Sequence, residues 1–285
     1  MLNPTQILAN ALGNHIEQTF NSMFGSDKEN YAQRAAIAGR LALECIGNSD
    51  AAYHDLQHTL HVTAVGLEIM RGKHLHVRTT PEDWFHYTVA LLCHDVGYVR
   101  GVCAGDTRDK FVVDHEGNTF TPPRGATDAA LTPYHVERGK IFVLERFSEV
   151  PFIDAERVEQ AIELTRFPVP DDADHQETDT EAGLVRAADL IGQLADPQYL
   201  QKLSKLFQEF VETGAAKALG YETAADLADA YPSFYWKSVR PYILDAIRYL
   251  EWTQEGKQWI AMLHSHVFSV EHGQFSFGPF REGSR

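Results

Sequence analysis

Apolar side chains recur every three to four residues along most of the chain, which is the spacing of one buried face of an α-helix. The clearest stretches lie within residues 7–23, 199–210 and 239–250. Clusters rich in Gly, Pro or Asp are typical of the connections between helices, and they lie at 47–50, 168–172 and 231–232. No period of about 20–50 residues repeats, which disfavours a helical solenoid. The pattern predicts an all-α protein.

One segment departs from the helical pattern. Two short aromatic and β-branched runs flank the turn-like sequence His115–Asn118, and together they predict a small β-hairpin inserted around residues 111–121. Further along, Thr132 followed by Pro133 is typical of a helix cap and a first helical residue. A helix is therefore predicted from this point through Phe147.

The length of 285 residues suits one large domain or two small ones. Neither a shift in composition nor a flexible linker divides the chain. The sequence therefore predicts a single helical domain over residues 1–285. Its expected parts are N-terminal helices over 1–47, a core that carries the motifs over about 50–200, and a C-terminal helical extension over about 198–285.

The charge balance limits the classes of partner. Apolar residues make up 44% of the chain and charged residues 23%, as in ordinary globular proteins. The 25 basic and 40 acidic residues leave a net charge of −15, which repels nucleic-acid backbones and anionic membranes. We expect neither as a partner, so a phosphate-bearing substrate would be met by a metal ion or by a few local cations.

Cysteine usage and the N-terminus indicate the compartment. Cys45, Cys93 and Cys103 form no CxxC pair, which disfavours a disulfide framework and a thiolate zinc site. The N-terminus lacks the basic start and apolar stretch of a signal peptide, and no apolar run approaches the ~18 residues of a membrane span. These features predict a soluble cytoplasmic protein with reduced cysteines, and they leave its oligomeric state open.

Histidines are concentrated in one part of the chain. Of the 14 histidines, those between residues 54 and 94 are His54, His58, His61, His74, His76, His86 and His94. On a helix, His54 and His58 would share a face, as would His58 and His61, so that two imidazoles could address one ion or substrate group. Taken alone, the same spacing also suits a solvated or core-packed pair.

Two carboxylates interrupt apolar helical stretches. His94 and Asp95 end the apolar run 89–93, and Asp189 lies within another such stretch. A buried carboxylate is costly unless it is paired or bound to metal, so a divalent metal ion is a simple source of compensation. The alternatives are that Asp95 caps a neighbouring helix with His94 in solvent, and that Asp189 forms a salt bridge with Arg186.

Taken together, these residues resemble the HD superfamily of metal-dependent phosphohydrolases, whose ligands follow the order H…HD…D. His58, His94, Asp95 and Asp189 match that order, each on a predicted helix. YHDLQHTLHV is similar to the YHNxxHAxDV signature of class I cyclic-nucleotide phosphodiesterases, and AADLIGQLADP is similar to their CADLSNP segment. The resemblance covers roughly residues 50–200 and implies an all-α HD-domain helical bundle.

The resemblance also implies roles. The four matched residues would hold one divalent ion, and Asp95 would bridge this ion to a second one. Asp95 would therefore be a catalytic residue as well as a ligand. Zinc, manganese, iron and magnesium all suit such ligands. His54 matches the general acid of the phosphodiesterases. The implied activity is hydrolysis of a small-molecule phosphoester, a phosphodiester or a nucleotide, by a metal-activated water.

The chain departs from the phosphodiesterase pattern at several positions. Asp55 replaces the signature Asn, His61 replaces its Asp, and Tyr98 stands where those enzymes have a second His after the HD pair. Gln258 and Gln274 are the late glutamines in range of the purine-binding Gln, and neither lies in a matching context. Specificity for cyclic nucleotides does not follow from the resemblance.

Candidate substrate contacts are less defined. They are His135, Arg100, Arg166 and Gln193. The arginines are candidate phosphate clamps, with a surface role as the alternative for each, and the alternative for His135 is an exposed position in the first turn of its helix. Two other functions stay open. One is an HD-type di-iron oxygenase, in which His61 and His135 would complete a second iron site. The other is a non-catalytic nucleotide-binding regulator.

Overall fold

A computed structural model describes residues 2–26 and 29–277, and this part of the chain is mostly helical, as the hydrophobic pattern predicts. None of its helices combines the length and the apolarity that crossing a bilayer requires. In order along the described chain, the α-helices are α1 (Pro4–Phe24), α2 (Glu29–Ile46), α3 (Leu56–His76), α4 (Pro81–Cys93), α5 (His135–Phe147), α6 (Ala155–Glu163), α7 (Glu181–Leu194), α8 (Tyr199–Thr213), α9 (Ala215–Leu219), α10 (Ala224–Phe234), α11 (Arg240–Leu250) and α12 (Gln254–Glu271).

The predicted hairpin is present and very short. Its strands β1 (Phe111–Val112) and β2 (Thr119–Phe120) pair antiparallel, with Phe111 opposite Phe120. The Asp114 carboxylate accepts hydrogen bonds from backbone amides across the turn, including that of Asn118 at 3.0 Å. This local bonding explains why a turn-like sequence interrupts an otherwise helical chain.

The start of α3 differs from the prediction that His54 and His58 share a helix face. The Asp55 carboxylate accepts hydrogen bonds from the amides of Gln57 and His58 at 2.9 and 3.2 Å, so Asp55 is the N-cap and α3 begins at Leu56. His54 therefore lies in the bend before the helix. The prediction for this pair was wrong because Asp55 was treated as a helical residue.

The segment before α5 also differs from its prediction. The Thr132 hydroxyl donates to the Ala129 carbonyl at 2.6 Å, backwards into a 3₁₀ turn over Asp128–Leu131, and does not cap a helix that starts at Pro133. The α-helix begins two residues later, at His135. Its predicted end at Phe147 is confirmed.

The predicted boundary at 231–232 falls inside a helix. Pro232 belongs to α10, and the chain continues through a π-helical turn over Tyr235–Val239 directly into α11. A proline removes one backbone donor and displaces the helix locally, and a wider turn nearby accommodates this without ending the helix. Proline here marks a local irregularity and not a connection.

Helices α3, α4 and α7 pack against one another at the centre of the fold. Every residue of α4 from Trp84 to Cys93 is buried, as expected for a helix that is apolar on all sides. Helix α7 crosses α3 closely at Gly192, where an added Cβ would lie 2.7 Å from the Cα of Val62. Helix α11 packs on both α3 and α7 through buried residues such as Ile243, so the C-terminal helices contribute to the core.

A network of charges joins α5 to α6. Glu163 lies 2.6 Å from Nε of Arg166 and 2.8 Å from Nζ of Lys140, and Arg166 also contacts Glu137 at 2.5 Å. Partial burial opposes ionisation of the Glu163 carboxyl, but Arg166 and Lys140 outweigh it and lower its pKa to about 2.

We predict that Glu163→Gln lowers the free energy of unfolding at pH 7. Because the pKa of Glu163 is lowered by folding, its contribution is present above its unfolded value of about 4.5 and is lost as pH falls towards 2. Urea unfolding at several pH values should show the gap between variant and wild type narrowing below pH 4.5. The exposed Glu149→Gln serves as the control and should change little at any pH; a constant gap for Glu163→Gln would contradict the prediction.

Candidate metal centre

The four predicted metal ligands lie together. His58 is in the first turn of α3, His94 and Asp95 directly follow α4, and Asp189 is in α7. Nε2 of His58 lies 3.2 Å from Oδ2 of Asp95 and 3.2 Å from Oδ1 of Asp189. Nε2 of His94 lies 3.2 Å from Oδ2 of Asp95 and 3.7 Å from Oδ1 of Asp189. The dyad therefore lies just beyond its predicted helix, whereas the other two are helical.

The alternatives for these residues do not fit their contacts. The His94 side chain is completely buried, not in solvent, and within the described part of the chain the Asp95 carboxylate does not cap the 3₁₀ turn that follows it. Arg186 donates to the backbone carbonyls of His175 and Glu177, at 2.5 and 2.9 Å. The salt bridge expected from the alternative for Asp189 would need that guanidinium, which is engaged with these carbonyls.

The imidazoles of His58 and His94 are oriented so that their Nε2 atoms face each other and the Asp95 carboxylate. Nδ1 of His94 donates to the Leu91 carbonyl at 2.8 Å, which leaves a lone pair on Nε2. This Nε2 lies only 3.3 Å from Nε2 of His58. Oδ2 of Asp95 is buried and has no well-oriented donor among the described residues. A cation placed between these atoms would satisfy all of them.

The potential at the cluster is strongly negative. Burial opposes protonation of His58, yet Asp189 and Asp95 outweigh it and raise the pKa of His58 to about 10. Burial likewise opposes ionisation of Asp95, but His94 and His58 hold the pKa of that carboxyl well below its usual range. The two carboxylates thus attract positive charge to the cluster, which can be a proton on His58 or a bound cation. The same negative potential favours a divalent cation.

The donor set fits a transition metal. One ligand atom each of His58, His94 and Asp95 lie within 4.8 Å of one another, and all three residues are buried. Asp189 adds a second carboxylate and is 20% exposed at its side chain, on the more open side of the cluster. Two imidazole nitrogens with carboxylate oxygens suit zinc, manganese or iron better than magnesium, which prefers oxygen ligands alone.

His54 has a partner that the sequence did not indicate. Its Nδ1 lies 2.6 Å from Oε2 of Glu209, and the other carboxylate oxygen accepts from the amides of Tyr53 and His54 at 2.7 and 3.3 Å. Burial opposes protonation of His54, but Glu209 outweighs it and raises the pKa of His54. The spacing of residues in α8 does indicate that Glu209 is buried, because it lies on the same helix face as the buried Leu203 and Leu206.

Tyr98 and His135 complete one wall of the site. The Tyr98 ring stacks between the rings of His54 and His135, and Nε2 of His135 lies 3.9 Å from Oδ1 of Asp95. Nδ1 of His135 donates to the Thr132 carbonyl at 2.6 Å. Burial, with Asp95 and Glu209 nearby, raises the pKa of Tyr98 well above its ordinary value, so its hydroxyl stays neutral. The structure places His135 beside the cluster, while its role as a substrate contact stays a prediction.

The other predicted substrate contacts are engaged elsewhere. Arg166 lines a cleft of about 340 Å³ together with His135, but it is paired with Glu163 and Glu137. Nε of Arg100 lies 2.8 Å from Oδ1 of Asp128. Both guanidinium groups are thus neutralised by carboxylates, which weakens their assignment as phosphate clamps.

Two further polar residues lie beside the cluster without joining it. Gln193, one turn after Asp189, hydrogen bonds with Tyr199. Nδ1 of His61 lies 3.5 Å from Oδ2 of Asp196, a carboxylate that also binds Lys202 at 2.5 Å. His61 is therefore engaged away from the four-residue cluster.

Fold and site together define a class, a mostly α-helical protein in which buried His58, His94 and Asp95 meet the partly exposed Asp189. Residues 2–273 match the model of the Npun_R2479-like family, and the chain belongs to this family. A search of the curated proteins found no match. This family description names no activity and no ligand.

We predict that Gly192→Ala weakens metal binding at a distance from the ligands. The added methyl would collide with the backbone of α3 at Val62. Gly192 is three residues after Asp189 in α7, and Val62 is four residues after His58 in α3. Separating the helices should destabilise the fold by about 1–3 kcal/mol and lower metal affinity, as measured by urea unfolding and by competition with a chelator.

Gly72→Ala is the matched control for this variant. A Cβ added to Gly72 would lie 2.0 Å from the Tyr249 carbonyl oxygen. Gly72 is in α3, like His58, but the helical rise places it about 21 Å from His58. It should destabilise the fold while sparing metal affinity in the molecules that remain folded. Equal metal affinities for both variants would show that the α3 and α7 crossing does not set the ligand geometry.

We also predict that Asp95→Ala loses bound metal while the helical fold persists, because this carboxylate lies closest to both imidazoles. Asp189→Ala should bind metal more weakly and be restored by excess metal. Elemental analysis and circular dichroism of the purified variants measure the two effects. Asp128→Asn is the control, as another buried Asp outside the cluster, and wild-type metal content in Asp95→Ala would remove that residue from the site.

Proposed function

We propose that this protein is a metal-dependent phosphohydrolase of the HD type that hydrolyses a small-molecule phosphoester, either a phosphodiester or a nucleotide. The observation that carries the proposal is the placement of the Glu209 and His54 pair beside a buried set of converging metal-ligand atoms. Hydrolysis of a phosphoester needs a centre that accepts negative charge and a group that protonates the leaving oxygen. The two parts of the site supply one of these functions each.

His58, His94, Asp95 and Asp189 would hold the metal. A divalent ion bound there would offset the charge of a phosphoryl group and lower the pKa of a bound water to near neutrality. The chain's own contribution is rigidity, because the Leu91 carbonyl sets the tautomer of His94 and helices α3, α4 and α7 fix the four ligands within the core. Burial also excludes bulk water, which strengthens charge interactions.

His54 acts as the proton donor in this proposal. Glu209 engages Nδ1, so the proton available to a substrate is the one on Nε2. The carboxylate of Glu209 raises the pKa of His54 against the opposing effect of burial, which favours the protonated ring that a proton donor needs. On protonation of the leaving oxygen, His54 becomes neutral and Glu209 keeps the ring oriented for reprotonation by solvent.

The same geometry ranks the alternatives. A di-iron oxygenase would draw ligands from His61 and His135, but His61 is engaged with Asp196. A regulator that only binds a nucleotide has no use for a proton donor held by a buried carboxylate. The His54 and Glu209 pair therefore favours hydrolysis over both.

The first test is metal analysis of protein purified without added ions, followed by a substrate panel with the metal found. We expect turnover of at least one class among phosphomonoesters, phosphodiesters and cyclic nucleotides. Lack of turnover on all three with Mn, Zn, Mg, Co and Fe would reject a hydrolase. Oxygen consumption by anaerobically purified iron-loaded protein would support the oxygenase instead, and tight nucleotide binding without turnover would support the regulator.

A sharper prediction concerns the role of His54. His54→Ala should retain its metal and most activity on p-nitrophenyl phosphoesters, since p-nitrophenolate leaves without a proton. On alkyl or nucleoside esters it should lose the ~10²–10⁴-fold that general-acid assistance supplies. His58→Ala is the contrasting variant and should lose both activities together with the metal. Equal losses on the two ester types for His54→Ala, or loss of its metal, would assign His54 a different role.

A further inference from the structure

Tyr98 lies between the two histidines that flank the cluster. Its ring centroid is 4.6 Å from that of His54 and 4.5 Å from that of His135, with interplanar angles of 14° and 21°. Only 1% of Tyr98 is exposed. The three rings thus form one stack, and its two outer imidazoles, each 17% exposed at the side chain, are more open to solvent than His58 and His94.

Each outer imidazole is held by one hydrogen bond in the described structure. Nδ1 of His54 is held by Glu209 at 2.6 Å, and Nδ1 of His135 by the Thr132 carbonyl at 2.6 Å. The His54 ring also meets the rings of Tyr53 and His58 at steep angles of 74° and 81°. A single hydrogen bond at Nδ1 still allows a ring to tilt about that bond. The flat Tyr98 ring packs against a face of both imidazoles and so limits this tilt.

The backbone around Tyr98 is itself firmly placed. An added Cβ on Gly97 would lie 1.9 Å from the His135 carbonyl oxygen, so the turn carrying Tyr98 lies directly against the start of α5. The buried Arg138 guanidinium donates from Nε to the Gly97 carbonyl at 2.7 Å. The Tyr98 hydroxyl hydrogen bonds with the side chain of Thr132. The middle ring is therefore the rigid member of the stack.

We infer that Tyr98 is a positioning residue, whose ring holds the His54 and His135 imidazoles in the orientations that proton transfer and substrate contact require. Its effect on catalysis rests on the proposed function, whereas its effect on ring orientation does not. A displacement of about 1 Å in a catalytic group can cost ~10²-fold in rate. The loss should therefore fall on the step that His54 serves and spare metal binding.

The test compares Tyr98→Leu, which removes the ring, with Tyr98→Phe, which keeps it and loses only the hydroxyl. Tyr87→Leu is the matched control, because Tyr87 is a fully buried tyrosine of α4 that is not among the residues of the site. The readouts are metal content, rates on p-nitrophenyl and alkyl phosphoesters, and the imidazole proton NMR signals of His54 and His135, assigned with His54→Ala and His135→Ala.

For Tyr98→Leu we expect full metal content, a roughly ten- to hundredfold loss on the alkyl ester and at most about a threefold loss on the p-nitrophenyl ester, within the range of general-acid effects. The signals of both histidines should move downfield, because they lose the shielding of a stacked ring. Tyr98→Phe keeps the ring and loses only the hydroxyl bond to Thr132, so its losses and NMR shifts should be smaller than those of Tyr98→Leu. Tyr87→Leu should lower stability with neither the leaving-group difference nor the NMR shifts.

The outcomes separate this inference from the proposed function. Equal losses of Tyr98→Leu on the two esters, or histidine signals that do not move, would overturn the positioning role even if the wild type is an active hydrolase. If the wild type hydrolyses no phosphoester, the proposed function fails. The NMR shifts then test only whether Tyr98 stacks on the two rings, and shifts that do not appear would overturn the positioning role.

Discussion

The site depends on several hydrogen-bond acceptor atoms that face one another at short distance in the buried core. Nε2 of His58, Nε2 of His94 and Oδ2 of Asp95 approach to within 3.2–3.3 Å of one another, where neutral acceptors would repel. Such an arrangement is stable only with positive charge among the atoms, supplied by a proton or a metal ion. The packing of α3, α4 and α7 holds these side chains in place against their mutual repulsion. The burial of apolar residues in the rest of the core offsets this unfavourable energy.

The second constraint is on His54, the proposed proton donor. His54 stands outside the helix that carries His58, because Asp55 caps that helix, and it is therefore free to take its orientation from tertiary contacts. Glu209 fixes one edge of the ring and Tyr98 covers one face. His54 and the candidate ligand His58 are thus only four residues apart but are held by different contacts, His58 by its place in α3 and His54 by Glu209 and Tyr98.

Several features of the fold and site are legible in local sequence, because they depend on local chemistry. The spacing of apolar residues indicates an all-α chain, and the turn at 115–118 indicates the hairpin. His94 and Asp95 stand out because ionisable groups at the end of so apolar a run require compensation, and Asp189 stands out for the same reason. Helix limits were less predictable where a side chain bonds backwards, as Thr132 does, or where a helix continues through Pro232.

The remaining features depend on which segments meet, and local patterns do not encode this. Glu209 lies 155 residues from His54, so only the folded chain shows that the two form a pair. The arginines read as phosphate clamps from sequence, but neighbouring carboxylates brought in by the fold neutralise them. Tyr98 stood out only as a departure from a family pattern, and its place between two imidazoles follows from the close contact of Gly97 with α5. The sequence by itself determined the residue types of the site, and the tertiary structure decided their partners, because charge pairing and ring stacking are set by distances in space.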